Sequence, residues 1–451
     1  MTRDVYVIGV GMLRFGRMLE RSVKELAREA LSAALADAEL NPARVEAVWF
    51  ANSGWGTNGG QDSIRGQVAL YGAGLAGAPV VNVENACAGG ASALHAATLG
   101  VASGAHDVAL ALGAEKLCQK SRVRTFASFL GGMDVAALPE LMAKAQALGA
   151  GAAPATKPRS APRERRARPG LGALPRLALD ALVIAEHYQL DLGRLVAQAL
   201  RNKSGRSPFM DVYAVGARRH MERYGTTAGQ LALIAAKNHE HGARNPLAQV
   251  QRSMTTDEVL SDRTVSPPLT RAMCAPLGDG AAAAIVCSEA FARRHGLGRA
   301  VRIRASVVAA ADPEAPGIGR RAARRAYERA ALGPSAVHVA EVHDATAFGE
   351  LSQSESLSFC AEGEGGPWAE SGATRLGGAL PLNPSGGLEC RGHPIAASGL
   401  AQVHELVTQL RGEAGARQVE RARIALAQNG GGFLGEEEAA MAIHVLEGPA
   451  R

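Results

Sequence analysis

The chain has 451 residues, 47% of them hydrophobic and 20% charged, which excludes a disordered polymer and a coiled coil and, at roughly 100 to 200 residues per domain, leaves room for two or three globular units. Aromatic residues make up only 4% while glycines number 53, so the core is expected to be Ala, Val, Leu and Ile with backbones in close approach at glycines. Much of the net charge of +6 comes from Lys157 to Arg176 (KPRSAPRERRARPGLGALPR), a stretch without the interleaved aromatics of a nucleic-acid platform, so nucleic acid is not an expected partner.

From the N-terminus, MTRDVYVIGVGMLRFG is too short and too broken by glycine for a signal segment or a membrane span. A cytoplasmic chain without a membrane partner is expected. The 6 cysteines, at 87, 118, 274, 287, 360 and 390, form no CxxC pair and no zinc-type cluster with histidine, so no metal is expected and the thiols suit a reducing compartment.

Two passages repeat. Residues Ser22 to Phe50 read as an Ala/Leu-rich helix, a break at Asn41-Pro42 and a strand; Gly319 to Val342 reads the same way around Gly333-Pro334. The strand VVNVENA then runs into a small-residue helix from Cys87 to Ala102 and the strand Asp107 to Leu112. Its later counterpart is GGLECRGHPIAASG, a helix to about Leu410 and the strand Ile424 to Gln428. Strands alternating with helices of this length predict parallel-rich sheets covered by helices, hence a duplicated α/β unit. The expected division is residues 1–130 plus 214–295 for the first half, 131–213 for a helical and loop insertion, and 296–451 for the second half. Within the insertion, the Pro/Arg-rich run has little apolar surface to offset its ordering entropy and reads as a solvated surface loop, with a lid over an anionic ligand as the alternative.

Chemistry concentrates at three points. Cys87 in NACAGGASA stands where a strand gives way to a helix, so unpaired helix N–H groups are expected to favour its thiolate, although a buried inert thiol fits the same local pattern. His393 in NPSGGLECRGHP occupies the corresponding place in the second copy, which would bring the two residues face to face. His343 in EVHDA ends an apolar strand. Each histidine singly could be structural, but three such groups at strand ends of a duplicated α/β fold point to nucleophilic catalysis.

These segments, together with GAEK, HMERYGTT, KNHEHGARNP, GDGAAAAIV, GLAQ and LRGEAG, resemble the thiolase superfamily, and within it the thiolase of sterol carrier protein x and its bacterial relatives. The resemblance implies the duplicated thiolase fold, two βαβαβ-type halves layered α/β/α/β/α, in a homodimer acting on acyl-coenzyme A thioesters with coenzyme A as cosubstrate and no permanently bound cofactor. It implies that Cys87 takes the acyl group, that His393 lowers the thiol's pKa, that His343 completes an oxyanion hole for the enolate, and that a second oxyanion hole uses the N–H groups of Cys87 and Gly431. It places coenzyme A near the insertion, with Arg201 and Lys203 as partners of its phosphates. Some relatives work with a zinc-ribbon and OB-fold companion subunit, which here would be a separate polypeptide.

The chain departs from the pattern at the second acid/base cysteine: its usual places hold Ala345 and Asn429, leaving Cys360 and Cys390 as substitutes, and Ala396 adds a methyl group to a crowded loop. The expected reaction is thiolytic cleavage of a β-ketoacyl-CoA, in fatty acid or aromatic degradation. The alternatives are decarboxylative condensation or retro-aldol cleavage on the same scaffold, and a non-catalytic subunit that binds acyl thioesters or a partner.

Overall fold

The computed structural model describes residues 3–120, 125, 128–129, 131–136, 208–296, 298–435 and 437–449; the Pro/Arg-rich run and the helical pattern expected at 177–200 lie outside them. The first half contains β1 (Val5–Met12), α1 (Val23–Asp37), β2 (Ala47–Ala51), β3 (Val80–Val83), α2 (Gly89–Ala102) and β4 (Val108–Glu115). Then come α3 (Pro208–Tyr224), a single helix running through residue 213 where the insertion is expected to end, α4 (Ala228–Ala243), the hairpin β5 (Thr264–Ser266) and β6 (Leu269–Thr270), and β7 (Gly280–Ser288). The second half contains β8 (Val301–Ala310), α5 (Ile318–Ala330), β9 (Val339–Glu341), α6 (Ala347–Ser356), α7 (Ser398–Arg411), β10 (Ile424–Leu434) and β11 (Glu437–Glu447).

The strands run in the order β3-β2-β4-β7-β1-β8-β11-β10-β9. In the first half β2 lies parallel to β3 and β4, and β7 runs antiparallel between β4 and β1. The second half repeats this: β9 lies parallel to β10, and β11 runs antiparallel between β10 and β8. The duplication read from the sequence is therefore present in four strands of each half, with β3 as an extra edge strand of the first, and extends to the 3₁₀ turns Pro42–Arg44 and Pro334–Ala336 opened by the two prolines. Among the described residues the halves join edge to edge in the sheet through the pairs Tyr6–Arg302 and Val7–Val301.

Small residues set the spacing of the layers. All nine residues of β7 are buried: Ala281, Ala283 and Ile285 face α1 in one core, while Ala282, Ala284 and Val286 face α2 and α7 in the central core. A third core lies between the second half's strands and α5, which completes the α/β/α/β/α layering. At the centre α2 meets α7 through glycines, since a Cβ on Gly90 would fall 2.4 Å from Ala396 O and one on Gly399 2.8 Å from the Ala91 Cβ.

This pseudo-twofold meeting brings together two more matched turns, Ala86–Ala88 before α2 and Ile395–Ala397 before α7. The counterpart of Cys87 is thus Ala396, and the expectation that His393 holds that place is corrected by three residues. Pro394 caps the second turn, so His393 belongs to the loop before it and reaches Cys87 from there. Ala396 itself fits because Gly89, Gly90 and Gly113 surround it; a Cβ on Gly113 would lie 2.0 Å from Ala396 O.

Candidate active site

Cys87 is placed by a turn that the sequence holds under strain. Ala86 before it adopts φ 46°, left-handed backbone that costs a residue with a Cβ about 1–3 kcal/mol. The strain is offset by the Ala86 N–H donating to Glu84 Oε1 at 2.7 Å and the Asn85 amide donating to Ser92 Oγ at 2.9 Å. Across the turn runs β10, close enough that a Cβ on Gly431 would lie 2.2 Å from Asn85 O and 2.6 Å from Ala88 N. Gly431 thus lets the strand approach, and the N–H of the next residue, Gly432, favours the thiolate form of Cys87. Gly431→Ala is expected to push β10 off the turn and lower turnover about a hundredfold, in the range of a lost oxyanion donor, with a smaller loss in thermal stability from overpacking; turnover and melting temperature measured together check it.

His393 presents Nε2 to Cys87 Sγ at 3.3 Å, with Nδ1 2.7 Å from Ser398 Oγ. The Ser398 hydroxyl donates to Pro394 O at 3.0 Å, so its oxygen accepts from Nδ1–H and Nε2 is left with its lone pair toward the thiol. His343 is set the opposite way. The Asn429 amide donates to His343 Nδ1 at 3.0 Å, leaving an Nε2–H free to donate. The two rings stand 5.2 Å apart at 82°, and the sulfur and one nitrogen of each ring lie within 4.8 Å of one another. The structure therefore brings Cys87, His343, His393 and Gly431 together as the sequence suggests.

The electrostatics differ from expectation. Burial pushes the Cys87 thiol up to about 12, with Glu84 and Glu115 adding to the rise against the Gly432 N–H. Burial, His343 and Arg391 together hold His393 well below the usual histidine range, and burial with Arg391 brings His343 down to about 4. The expectation of a lowered Cys87 pKa is corrected: burial outweighs the helix end and the histidine, and the pair rests as thiol and neutral imidazole, with the base already aligned.

Around these groups lies a cavity of about 520 Å³. Phe129, Phe209, Tyr213, Met254 and Phe433 give it an apolar wall, and Ala345 lines it where the resemblance would place a cysteine. Neither substitute thiol lines it: Cys390 is fully buried, its Cβ close to Gly242, and Cys360 lies beyond α6 near Glu355 and Glu364. Cys274 and Glu389 do line it. Arg201 and Lys203, expected at the phosphates of coenzyme A, lie outside the described residues.

Sequence reasoning missed Ser398, Gly432 and Glu389. Ser398 could have been found as the hydroxyl that ends GHPIAAS one helical turn from His393, and Glu389 as the lone acid in GGLECRGHP. A further missed group is Glu115 of GAEK, which accepts from the N–H groups of Ser53 and Gly54 at 3.0 Å each, so it holds the loop after β2 against the end of β4.

Residues 5–155 match the family model for the thiolase N-terminal domain, and residues 303–444 that for the thiolase C-terminal domain-like family. The chain is 34% identical to an acetyl-CoA acetyltransferase of Methanothermobacter thermautotrophicus, over 98% of this chain and 99% of that one. It is 36% identical to sterol carrier protein 2 of Bos taurus, over 94% of this chain and 69% of the relative. It is 30% identical to the benzoylsuccinyl-CoA thiolase subunit BbsB of Thauera aromatica, over 95% of each. Its fold is similar to that of the Ltp2-ChsH2(DUF35) aldolase, with a TM-score of 0.69 at 20% identity over 100% of this chain and 99% of that one. Human mitochondrial 3-ketoacyl-CoA thiolase gives a TM-score of 0.64 at 16% identity over 99% of each. Sequence likeness of this depth along the whole length, on a fold duplicated as described, makes the chain a member of the thiolase family and an acyltransferase acting on acyl-coenzyme A thioesters.

Proposed function

We propose that this acyltransferase works as a degradative thiolase, cleaving a β-ketoacyl-CoA with coenzyme A through an acyl group carried on Cys87. The observation that carries the reading is the 3.3 Å approach of His393 Nε2 to Cys87 Sγ, with the tautomer fixed by Ser398. In the first step the thiol proton passes to Nε2 as sulfur adds to the ketone carbon. The C2–C3 bond then breaks, leaving the shortened acyl group on Cys87 and the enolate of acetyl-CoA. His343 Nε2–H stabilises the negative oxygen of that enolate, while the amides of Cys87 and of the Gly431-Gly432 stretch serve the oxygen of the acyl group. Coenzyme A then attacks the acyl-cysteine and His393 returns the proton to sulfur.

The apolar, aromatic-rich wall suits an acyl group longer than acetyl, from fatty acid or aromatic degradation. Arg201 and Lys203 as phosphate partners, a homodimer, a separate zinc-ribbon and OB-fold companion and a cytoplasmic setting belong to the same reading. No helix among the described residues is long and apolar enough to cross a membrane. Incubating the protein with a panel of β-ketoacyl-CoAs of increasing chain length and coenzyme A, with products read by mass spectrometry, tests it: the expected products are acetyl-CoA and the shortened acyl-CoA. Formation of neither from any member of the panel counts against the reading.

A further inference from the structure

The thiolytic cycle needs one proton more than the described groups supply. His393 exchanges the proton of Cys87, and His343 Nε2–H is a donor whose ring has its other nitrogen occupied by Asn429. Neither is free to protonate carbon when the enolate departs. Ala345 and Asn429, at the places where the resemblance expects a second cysteine, have no proton to give.

The cavity contains a carboxyl group suited to the task. Glu389 is 2% exposed, lines the cavity with Cys87 and both histidines, and has no hydrogen-bond partner for either carboxyl oxygen among the described residues. The Asn238 amide leans toward it, but that amide's hydrogens go to Asp344 Oδ2 at 3.2 Å and Glu350 Oε2 at 2.9 Å. Lys237, which could neutralise it, is committed to Glu350 Oε1 at 2.5 Å and Leu382 O at 3.1 Å. Burial first, then Asp344 and Glu350, raise Glu389 well above the usual carboxyl range, and Asp344 beside it is raised as well, so this cluster of acids favours holding a proton. Its backbone is fixed, with the N–H groups of Leu388 and Glu389 donating to Asp344 at 2.7 and 3.4 Å. Among the cavity's other acid–base groups, Glu438 accepts from the Gln353 amide at 2.8 Å and the Cys274 thiol donates to Thr270 O at 3.3 Å, while burial pushes the Tyr213 phenol well above its ordinary value, which makes it a poorer proton donor than a carboxylic acid.

We propose that Glu389 is the proton carrier of the carbon–carbon step: its carboxylic acid protonates the α-carbon of the departing enolate, and in the condensing direction its carboxylate removes that proton. This inference rests on the thiolytic reading above. In cleavage the O–H bond of Glu389 breaks as the new C–H bond forms, and the carboxylate is reprotonated by the proton that coenzyme A releases when its sulfur attacks the acyl-cysteine. The net transfer is therefore from the thiol of coenzyme A to carbon, and the enzyme ends as it began.

Glu389→Gln keeps the shape and removes the proton. The test follows deuterium incorporation into the methyl group of acetyl-CoA in heavy water, thiolysis of a β-ketoacyl-CoA, and alkylation of Cys87 by iodoacetamide, which reports the Cys87–His393 pair alone. Exchange and thiolysis are expected to fall by about 10² or more, the range of a lost general acid, with alkylation unchanged and part of the exchange restored in Glu389→Asp. Unchanged exchange in Glu389→Gln overturns the proposal. So does alkylation slowed as much as exchange, since Glu389 would then merely support the loop. A wild-type protein that acylates Cys87 yet neither exchanges nor cleaves also overturns it, whereas one whose Cys87 accepts no acyl group defeats the thiolytic reading itself.

Discussion

Cys87→Ser is expected to abolish the covalent acyl adduct and to lower thiolysis by roughly 10⁴- to 10⁶-fold, the scale on which removal of a nucleophile acts in enzymes of this logic. The size of the effect follows from the site's electrostatics. His393 is held well below the usual histidine range by burial, His343 and Arg391, so it is a weak base. It can take a proton from a thiol already in line at 3.3 Å, but serine's hydroxyl is a far weaker acid and a harder nucleophile. Serine is also small enough for the tight turn, whose neighbour Ala86 already sits at φ 46°, so loss of activity without loss of fold is expected. Intact-mass measurement after mixing with an acyl-CoA checks it; an adduct that persists in the serine variant removes Cys87 from the nucleophile's role. The same variant separates the alternatives, since retro-aldol cleavage needs no acyl-cysteine and would survive the change.

What the sequence disclosed and what it hid divide along physical lines. The duplication was legible because helix, proline break and strand recur in one order at Ser22–Phe50 and Gly319–Val342, and local periodicity carries that information. Cys87, His343 and His393 were legible because Gly- and Pro-rich loops around strand ends have few other reasons to hold such groups. The exact counterpart of Cys87 was not legible: which residue of the second copy faces it depends on where the Ile395–Ala397 turn closes, and that is settled by the packing of Ala396 against Gly89, Gly90 and Gly113. The direction of the thiol's shift was hidden for the same reason. A helix N-terminus can be read from a run of small residues, but the burial that outweighs it comes from β10 folding across the turn, more than three hundred residues away in sequence. Asn429, which sets the tautomer of His343, is fixed by long-range packing of the same strand, whereas Ser398 sets that of His393 from within the same local turn. Local pattern names the reacting groups; tertiary packing decides the protonation state of each.

Because the two histidines are oriented oppositely, their removal should have separable effects. His393→Ala is expected to slow acylation of Cys87 by about 10³- to 10⁴-fold, the upper range for loss of a positioned base. It should also change how alkylation by iodoacetamide depends on pH. In the intact pair, moving the thiol proton to His393 Nε2 gives an ion-paired form with the same total number of protons as the resting form. Its population therefore does not vary with pH between the low histidine value and the thiol value of about 12, and alkylation through it gives a plateau around neutrality. Without the imidazole, reaction requires the free thiolate of a thiol raised by burial, whose population climbs about tenfold for each pH unit below its pKa. Wild-type alkylation is thus expected to be level near neutral pH, and that of His393→Ala to be slower there and to rise with pH. His343→Ala should leave the plateau in place, because His343 is tied to Asn429 rather than to the thiol, with the rate on it equal or somewhat higher as His393 is relieved of His343's influence, while carbon–carbon cleavage falls by about 10² to 10³ with the loss of one oxyanion donor. Stopped acylation and cleavage assays with the alkylation profile measure all of this on the same preparations. A plateau retained in His393→Ala would mean that another group receives the Cys87 proton, and equal loss of acylation in both variants would mean that the two histidines share one role instead of dividing the reaction between sulfur and oxygen.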